Sequence, residues 1–162
     1  MWLSEWCADD VKCRVVSLVT LGSPHNPPPT DSPVARFDQT RGLLNYIDAN
    51  YPGAFEKKVK YTSVIGSGIT GSISLNRGEG FASKVFSLVA YASYLALSGN
   101  PMQRGDGIIP VSTASLSGAK MIELADAKHS NYLPTPLKSI KVPFVWYGGE
   151  EVLPRWIQSL SA

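Results

Sequence analysis

Apolar and polar positions along the chain alternate between strand-like and helix-like periods. Arg14 to Leu21 is a nearly unbroken run of Val, Leu and Thr. Such a run fits a strand buried on both faces of a parallel sheet. Gly22 stops it, and the proline-rich segment up to Pro33 excludes regular structure. Lys58 to Ile65 alternates polar and apolar residues and closes at Gly66-Ser67-Gly68, which predicts a second strand. Lys120 to Leu124 predicts a third. Helical spacing covers Met1 to about Asp9, Gln39 to Asn50, Phe81 to Leu97 and Glu150 to Leu160. In the last of these, Val152, Leu153, Trp156, Ile157 and Leu160 share one face. Ile69 to Gly80 is rich in Gly and Ser, and Asn131 to Pro143 has no period; both are expected to be loops.

Strands alternating with helices imply right-handed crossovers and a parallel sheet covered on both sides. The expected fold class is therefore α/β, with about three parallel strands flanked by helices in one domain over residues 1–162. A sheet of this size leaves an edge unpaired unless another strand joins it. Val15, Val16 and Val19 are the apolar residues expected to be exposed there, so the isolated chain is expected to aggregate or to need a partner. Phe81 to Leu97 is short for a bilayer span. It carries a polar stripe at Lys84, Ser87, Tyr91, Tyr94 and Ser98, opposite an apolar face through Val85, Leu88, Val89 and Ala92. That arrangement predicts an amphipathic surface helix and no transmembrane segment.

Composition narrows the function classes. Net charge is +2, and the densest basic cluster, Lys57-Lys58-Val59-Lys60, reads as a solvated helix end, so no nucleic-acid partner is expected. Cys7 and Cys13 make no disulfide framework, and with only His25 and His129 as histidines the chain gives no zinc-ligand spacing. No metal, nucleotide loop or cofactor signature is present in the sequence. Met1-Trp2-Leu3-Ser4-Glu5-Trp6 has neither a basic n-region nor a long apolar run. It reads as the middle of a helix, and further chain is expected to precede it.

In open parallel sheets, functional groups collect in the loops at the carboxyl ends of the strands. Three such loops are expected here: Gly22-Ser23-Pro24-His25, the excursion from Gly66 that ends in Gly105-Asp106-Gly107, and the segment holding His129. A carboxylate beside an imidazole fixes its tautomer and stabilises the imidazolium formed when the other nitrogen takes a proton. Asp106 and His129 are thus candidate catalytic acid and base, each following a strand. The nucleophile that such a pair would serve is not evident: no serine in the chain lies in a Gly-x-Ser-x-Gly elbow. Ser23 and Ser67 follow strands without forming one.

Leu21-Gly22-Ser23-Pro24-His25, Gly105-Asp106-Gly107-Ile108-Ile109-Pro110-Val111 and Lys128-His129-Ser130, in that order, resemble the C-terminal half of an α/β-hydrolase. Within that superfamily the chain is similar to plant and algal lipase/esterase-like proteins related to GPI inositol-deacylases. Asp38 to Leu44, Asn50 to Phe55 and Trp146-Tyr147-Gly148 extend the likeness over nearly the whole chain. The resemblance implies a serine carboxylic-ester hydrolase with Asp106 as triad acid and His129 as triad base. The nucleophilic serine and the oxyanion hole would precede this sequence. Ser23 and His25 would lie near the pocket mouth, and residues 69–104 would be a lid or cap insertion. The implied partners are an ester or lipid-like small molecule and a missing N-terminal half or strand-adding partner. The alternative is a hydrolase-fold protein that binds without catalysis.

Overall fold

The computed structural model describes residues 14–30, 42–74, 80–131 and 145–161. The helix expected before Asp9, both cysteines, Asp38 to Arg41 and most of the loop from Asn131 to Pro143 lie outside the described residues.

The chain folds as a mixed α/β structure around a parallel sheet of three strands. Strand β1 (Ser17–Leu21) pairs with β2 (Lys60–Gly66), and β2 pairs with β5 (Lys120–Leu124). Leu21 lies opposite Val64, and Gly66 opposite Leu124, so all three strands end at one edge. Central β2 is buried from Thr62 onward. Its successive side chains point to opposite faces. Val64 joins Leu124, Ala127, Tyr147, Val152 and Trp156 on one side, while Ile65 joins Ile109 and Ala114 on the other.

The burial of the first two strands departs from a strand buried on both faces beside an alternating one, while the exposure of Val16 agrees with the expected unpaired edge. Among the described residues the continuous run forms an edge strand, with Val16 and Leu18 exposed, and Val19, expected at the exposed edge, packs against the core. The alternating strand is the buried centre. Thr62 and Ser63 are both buried, and the Ser63 hydroxyl finds a partner on the neighbouring strand: Thr20 donates its hydroxyl to it at 3.4 Å.

The expected Gly/Ser loop begins with a short strand. Strand β3 (Ile69–Thr70) pairs antiparallel with β4 (Arg104–Gly105), bracketing the helix between them and returning the chain to Asp106. Helix α1 (Leu43–Asn50) buries Leu44. Helix α2 (Phe81–Ser98) ends where Gly99 donates its N–H to the Leu95 carbonyl. By length and composition α2 is long and apolar enough to cross a membrane. Here it packs Phe86, Ala90 and Tyr94 against Ile69.

The inward face of α2 therefore differs from the expected one. Tyr94, on the predicted polar stripe, is fully buried, whereas Phe81 and Leu88 are exposed. The Tyr94 hydroxyl can go inside because it accepts from Gly107 N at 2.8 Å and reaches the Ile69 carbonyl at 3.3 Å.

Two further differences are local. A short helix α3 (Val111–Ala114) follows Pro110. The expected Glu150–Leu160 helix is one turn, α4 (Leu153–Trp156), running into a 3-10 turn (Ile157–Leu160). Pro154 suits the first turn of a helix, which moves the start to Leu153. Val152 and Trp156 enter the core, and Ile157 and Leu160 stay exposed.

Candidate active site

The carboxyl ends of β1, β2 and β5 converge on one buried carboxylate. Asp106 lies in the tight turn after β4, which its own N–H closes by donating to the Ile109 carbonyl at 3.1 Å. The loop leaving β5 is stitched to that turn: His129 N donates to the Asp106 carbonyl at 2.9 Å. This backbone contact brings Asp106 and His129 together although they belong to different loops.

Four donors surround the Asp106 carboxylate. Oδ1 accepts from Ile108 N at 2.9 Å and from Ile109 N at 2.7 Å. Oδ2 accepts from the Tyr147 hydroxyl at 2.8 Å and pairs with His129 Nδ1 at 2.8 Å. The side chain is 1% exposed. A charge this deep is tolerable only when its oxygens are saturated with hydrogen bonds, as here. Two glycines make the close approach possible. A Cβ at Gly66 would lie 2.8 Å from Asp106 Cβ, and one at Gly22 would meet Asp106 Oδ2 and lie 2.8 Å from the Tyr147 hydroxyl.

His129 is asymmetric. A carboxylate only accepts, so Nδ1 carries the proton directed at Oδ2. Nε2 is left as the basic nitrogen, and no described side chain hydrogen-bonds to it. The imidazole is 37% exposed, so a reactant can reach it. The hydrogen bond to Asp106 holds the imidazolium above the usual histidine range; burial opposes this, and the charge of Asp106 adds to it. The pair is thus a base whose protonated form is stabilised in place.

The remaining sequence candidates do not join the pair. Ser23 is half-buried in the loop after β1 and makes no hydrogen bond to His129. His25 turns away: its Nε2 lies 3.0 Å from Thr20 Oγ1, and its backbone N–H donates to the Thr113 carbonyl at 2.7 Å. It borders a separate hollow of about 230 Å3 with Leu44, Tyr51, Phe55 and Tyr61. Burial pushes its pKa down. Ser67 is buried and accepts from Arg104 Nη2 at 2.9 Å. Conversely, Gly22, Gly66, Tyr94 and Tyr147 shape the site without having been singled out from the sequence for it. Gly22 and Gly66 figure in the sequence as loop starts, Tyr94 as part of a helix stripe and Tyr147 within the likeness of Trp146-Tyr147-Gly148, none of them with a role beside Asp106.

The two histidines give opposite pH dependences of stability. His129, with its pKa raised, stabilises the fold fully below about pH 6.5, and that contribution fades as pH rises through its folded value. His25, with its pKa lowered, favours the fold above about pH 6.5 and loses its contribution as pH falls below it. Thermal melts between pH 5.5 and 8 test this. His25→Gln should leave a midpoint that falls as pH rises, and His129→Gln one that falls as pH drops. Parallel curves for the two variants would contradict the assignment.

Comparison of the chain with family models, with curated proteins and with solved structures returned no match. The fold and site define a mixed α/β protein with a buried carboxylate–imidazole pair at the carboxyl edge of its parallel sheet.

Proposed function

We propose that this chain supplies the acid–base half of a serine ester hydrolase, with Asp106 as the acid and His129 as the base. The observation that carries the reading is the 2.8 Å contact between Asp106 Oδ2 and His129 Nδ1 on an imidazole that stays 37% exposed. A serine hydroxyl brought to Nε2 would give up its proton as its oxygen bonds to the ester carbonyl carbon. Asp106 stabilises the imidazolium so formed. The Nε2 proton then passes to the leaving alcohol as the carbonyl–oxygen bond breaks. Water attacks the acyl-serine, again giving a proton to Nε2, and the acid is released with the serine restored.

Two further features support this reading. An open groove of about 500 Å3 runs between α2 and the Asp106 turn, lined by Val89, Ala92, Ala96, Leu97 and Ile108. Its apolar walls suit the acyl chain of a lipid-like ester, and it shares Ile108 with the turn that holds Asp106. Among the described residues β1 pairs on one side only, with Val16 50% and Leu18 39% exposed. That edge suits a neighbouring strand, from this protein or a partner, that brings the nucleophile and the oxyanion hole.

The test compares the 162-residue chain with the protein isolated from its native source. The native protein should hydrolyse p-nitrophenyl butyrate and octanoate, and a fluorophosphonate probe should label a serine outside these residues. In the same assembly His129→Ala should lower kcat by at least about 10³-fold. The 162-residue chain by itself should do neither. Absence of both turnover and labelling in the native protein would overturn the reading and leave a binding role. Turnover by the chain by itself, abolished by His129→Ala, would overturn the external nucleophile.

A further inference from the structure

We infer that Tyr147 is a positioning residue for the acid–base pair: its hydroxyl holds Oδ2 of Asp106 against His129 and sets how much of the carboxylate's charge the imidazole receives. The inference deepens the hydrolase reading and rests on it for its catalytic consequence, but its geometry stands by itself. Tyr147 and His129 donate to the same oxygen, each at 2.8 Å. The Ile108 and Ile109 amides occupy the other oxygen. The carboxylate is therefore clamped at both ends, and among the described residues Tyr147 is the side chain that competes directly with the base for Oδ2.

The phenol is built to donate in this direction only. Its oxygen accepts from Gly66 N at 2.7 Å, so its proton is left for Asp106. Tyr147 is nearly fully buried, and burial together with the neighbouring charge of Asp106 pushes its pKa far above the ordinary range, which keeps it protonated. Its backbone is fixed twice over. Trp156 Nε1 donates to the Tyr147 carbonyl at 2.9 Å, and the preceding residue, Trp146, bridges in parallel to Lys128 beside His129. The Tyr147 and His129 rings meet edge to face, with centroids 6.2 Å apart. A side chain held this rigidly can tune a neighbour's charge without moving.

A purely structural tyrosine and a positioning one differ in what they do to His129. Removing the phenol proton leaves Oδ2 more charge for the imidazolium, so Tyr147→Phe should move the His129 titration to higher pH. Replacing Tyr147 by 3-fluorotyrosine keeps the shape and makes the phenol a stronger donor, so the titration should move to lower pH. Opposite displacements from the two replacements are not produced by loosened packing. The readout is the pH titration of the imidazole resonances of the full chain by NMR. With only two histidines in the sequence, His25→Gln assigns the signals. The fluorinated variant keeps the test decisive if Tyr147→Phe, which orphans Gly66 N, fails to fold. Fluorotyrosine that leaves His129 unmoved, or moves it upward, overturns the inference. Asp106→Asn separates this from failure of the pair itself. If it lowers the His129 titration while the tyrosine variants do nothing, only the role of Tyr147 falls. If it too leaves His129 unmoved, the acid–base pair falls as well.

Discussion

Asp106→Ala is expected to be the most damaging single change in this chain, for stability as well as chemistry. The carboxylate is the shared acceptor of Ile108 N, Ile109 N, the Tyr147 hydroxyl and His129 Nδ1. Ile109 and Tyr147 are buried, so water cannot replace the lost acceptor at those positions without opening the core. Each orphaned buried donor costs about 1–3 kcal/mol. Two or three of them remove a large share of the roughly 5–15 kcal/mol that holds a domain together. The urea midpoint should collapse, or the protein should fail to accumulate folded. Asp106→Asn should be milder in stability, because its Oδ1 still serves both amides. Its nitrogen would then donate to His129 Nδ1 and force the imidazole proton onto Nε2, removing the base while keeping the shape. Asp106→Ala with a stability within about 0.5 kcal/mol of the parent would place it among ordinary surface substitutions and contradict the buried cluster.

What was legible in the sequence follows from the range of the forces involved. Lys120–Leu124 is bounded as expected because local pattern and flanking turns agree there. The loops bearing Asp106 and His129 were legible because alternating strands and helices dictate which ends of the strands share an edge. Which strand is central was not. Arg14–Leu21 carries the more apolar run and lies at an edge among the described residues; its valines were expected at an unpaired edge, but that Lys60–Gly66 is the strand between the other two depends on pairing between distant segments. Ser63, in a strand read as alternating, is buried, and its hydroxyl accepts from Thr20 on the neighbouring strand, a tertiary contact that no local pattern encodes. Tyr94 misled for the same reason: a helix stripe that is polar in composition becomes an inward face once its hydroxyl meets Gly107 N and the Ile69 carbonyl. The fourfold saturation of Asp106 belongs wholly to this second kind of information. Asp-Gly suggests a turn and His129 suggests a base, but the tyrosine that shares Oδ2 with the base arrives from well beyond β5 in the sequence.

Gly22→Ala should disable the same cluster from the outside, without replacing any group that ionises. Gly22 has a φ of 50°, which a residue with a Cβ adopts at a cost of about 1–3 kcal/mol. The added methyl would fall on Asp106 Oδ2 and lie 2.8 Å from the Tyr147 hydroxyl and 2.9 Å from its Cε2. Neither neighbour has room to yield, since Asp106 and Tyr147 are both nearly fully buried. The carboxylate must swing off His129, or β1 must shift away from β2. Either way the hydrogen bond that raises the His129 pKa weakens, and its titration should fall to lower pH along with a lower melting midpoint. Gly42→Ala isolates the backbone part of the effect: its φ is 81°, yet a Cβ there meets nothing within 4 Å. It should cost only the strain and leave His129 unmoved. Equal melting losses for the two variants, with the His129 titration unchanged in both, would mean that the space beside Oδ2 is not as tight as the packing of Gly22, Asp106 and Tyr147 requires. A larger loss at Gly22, accompanied by the fall in His129, would show that a residue with no side chain and no charge controls the strength of the base by keeping the acid in place.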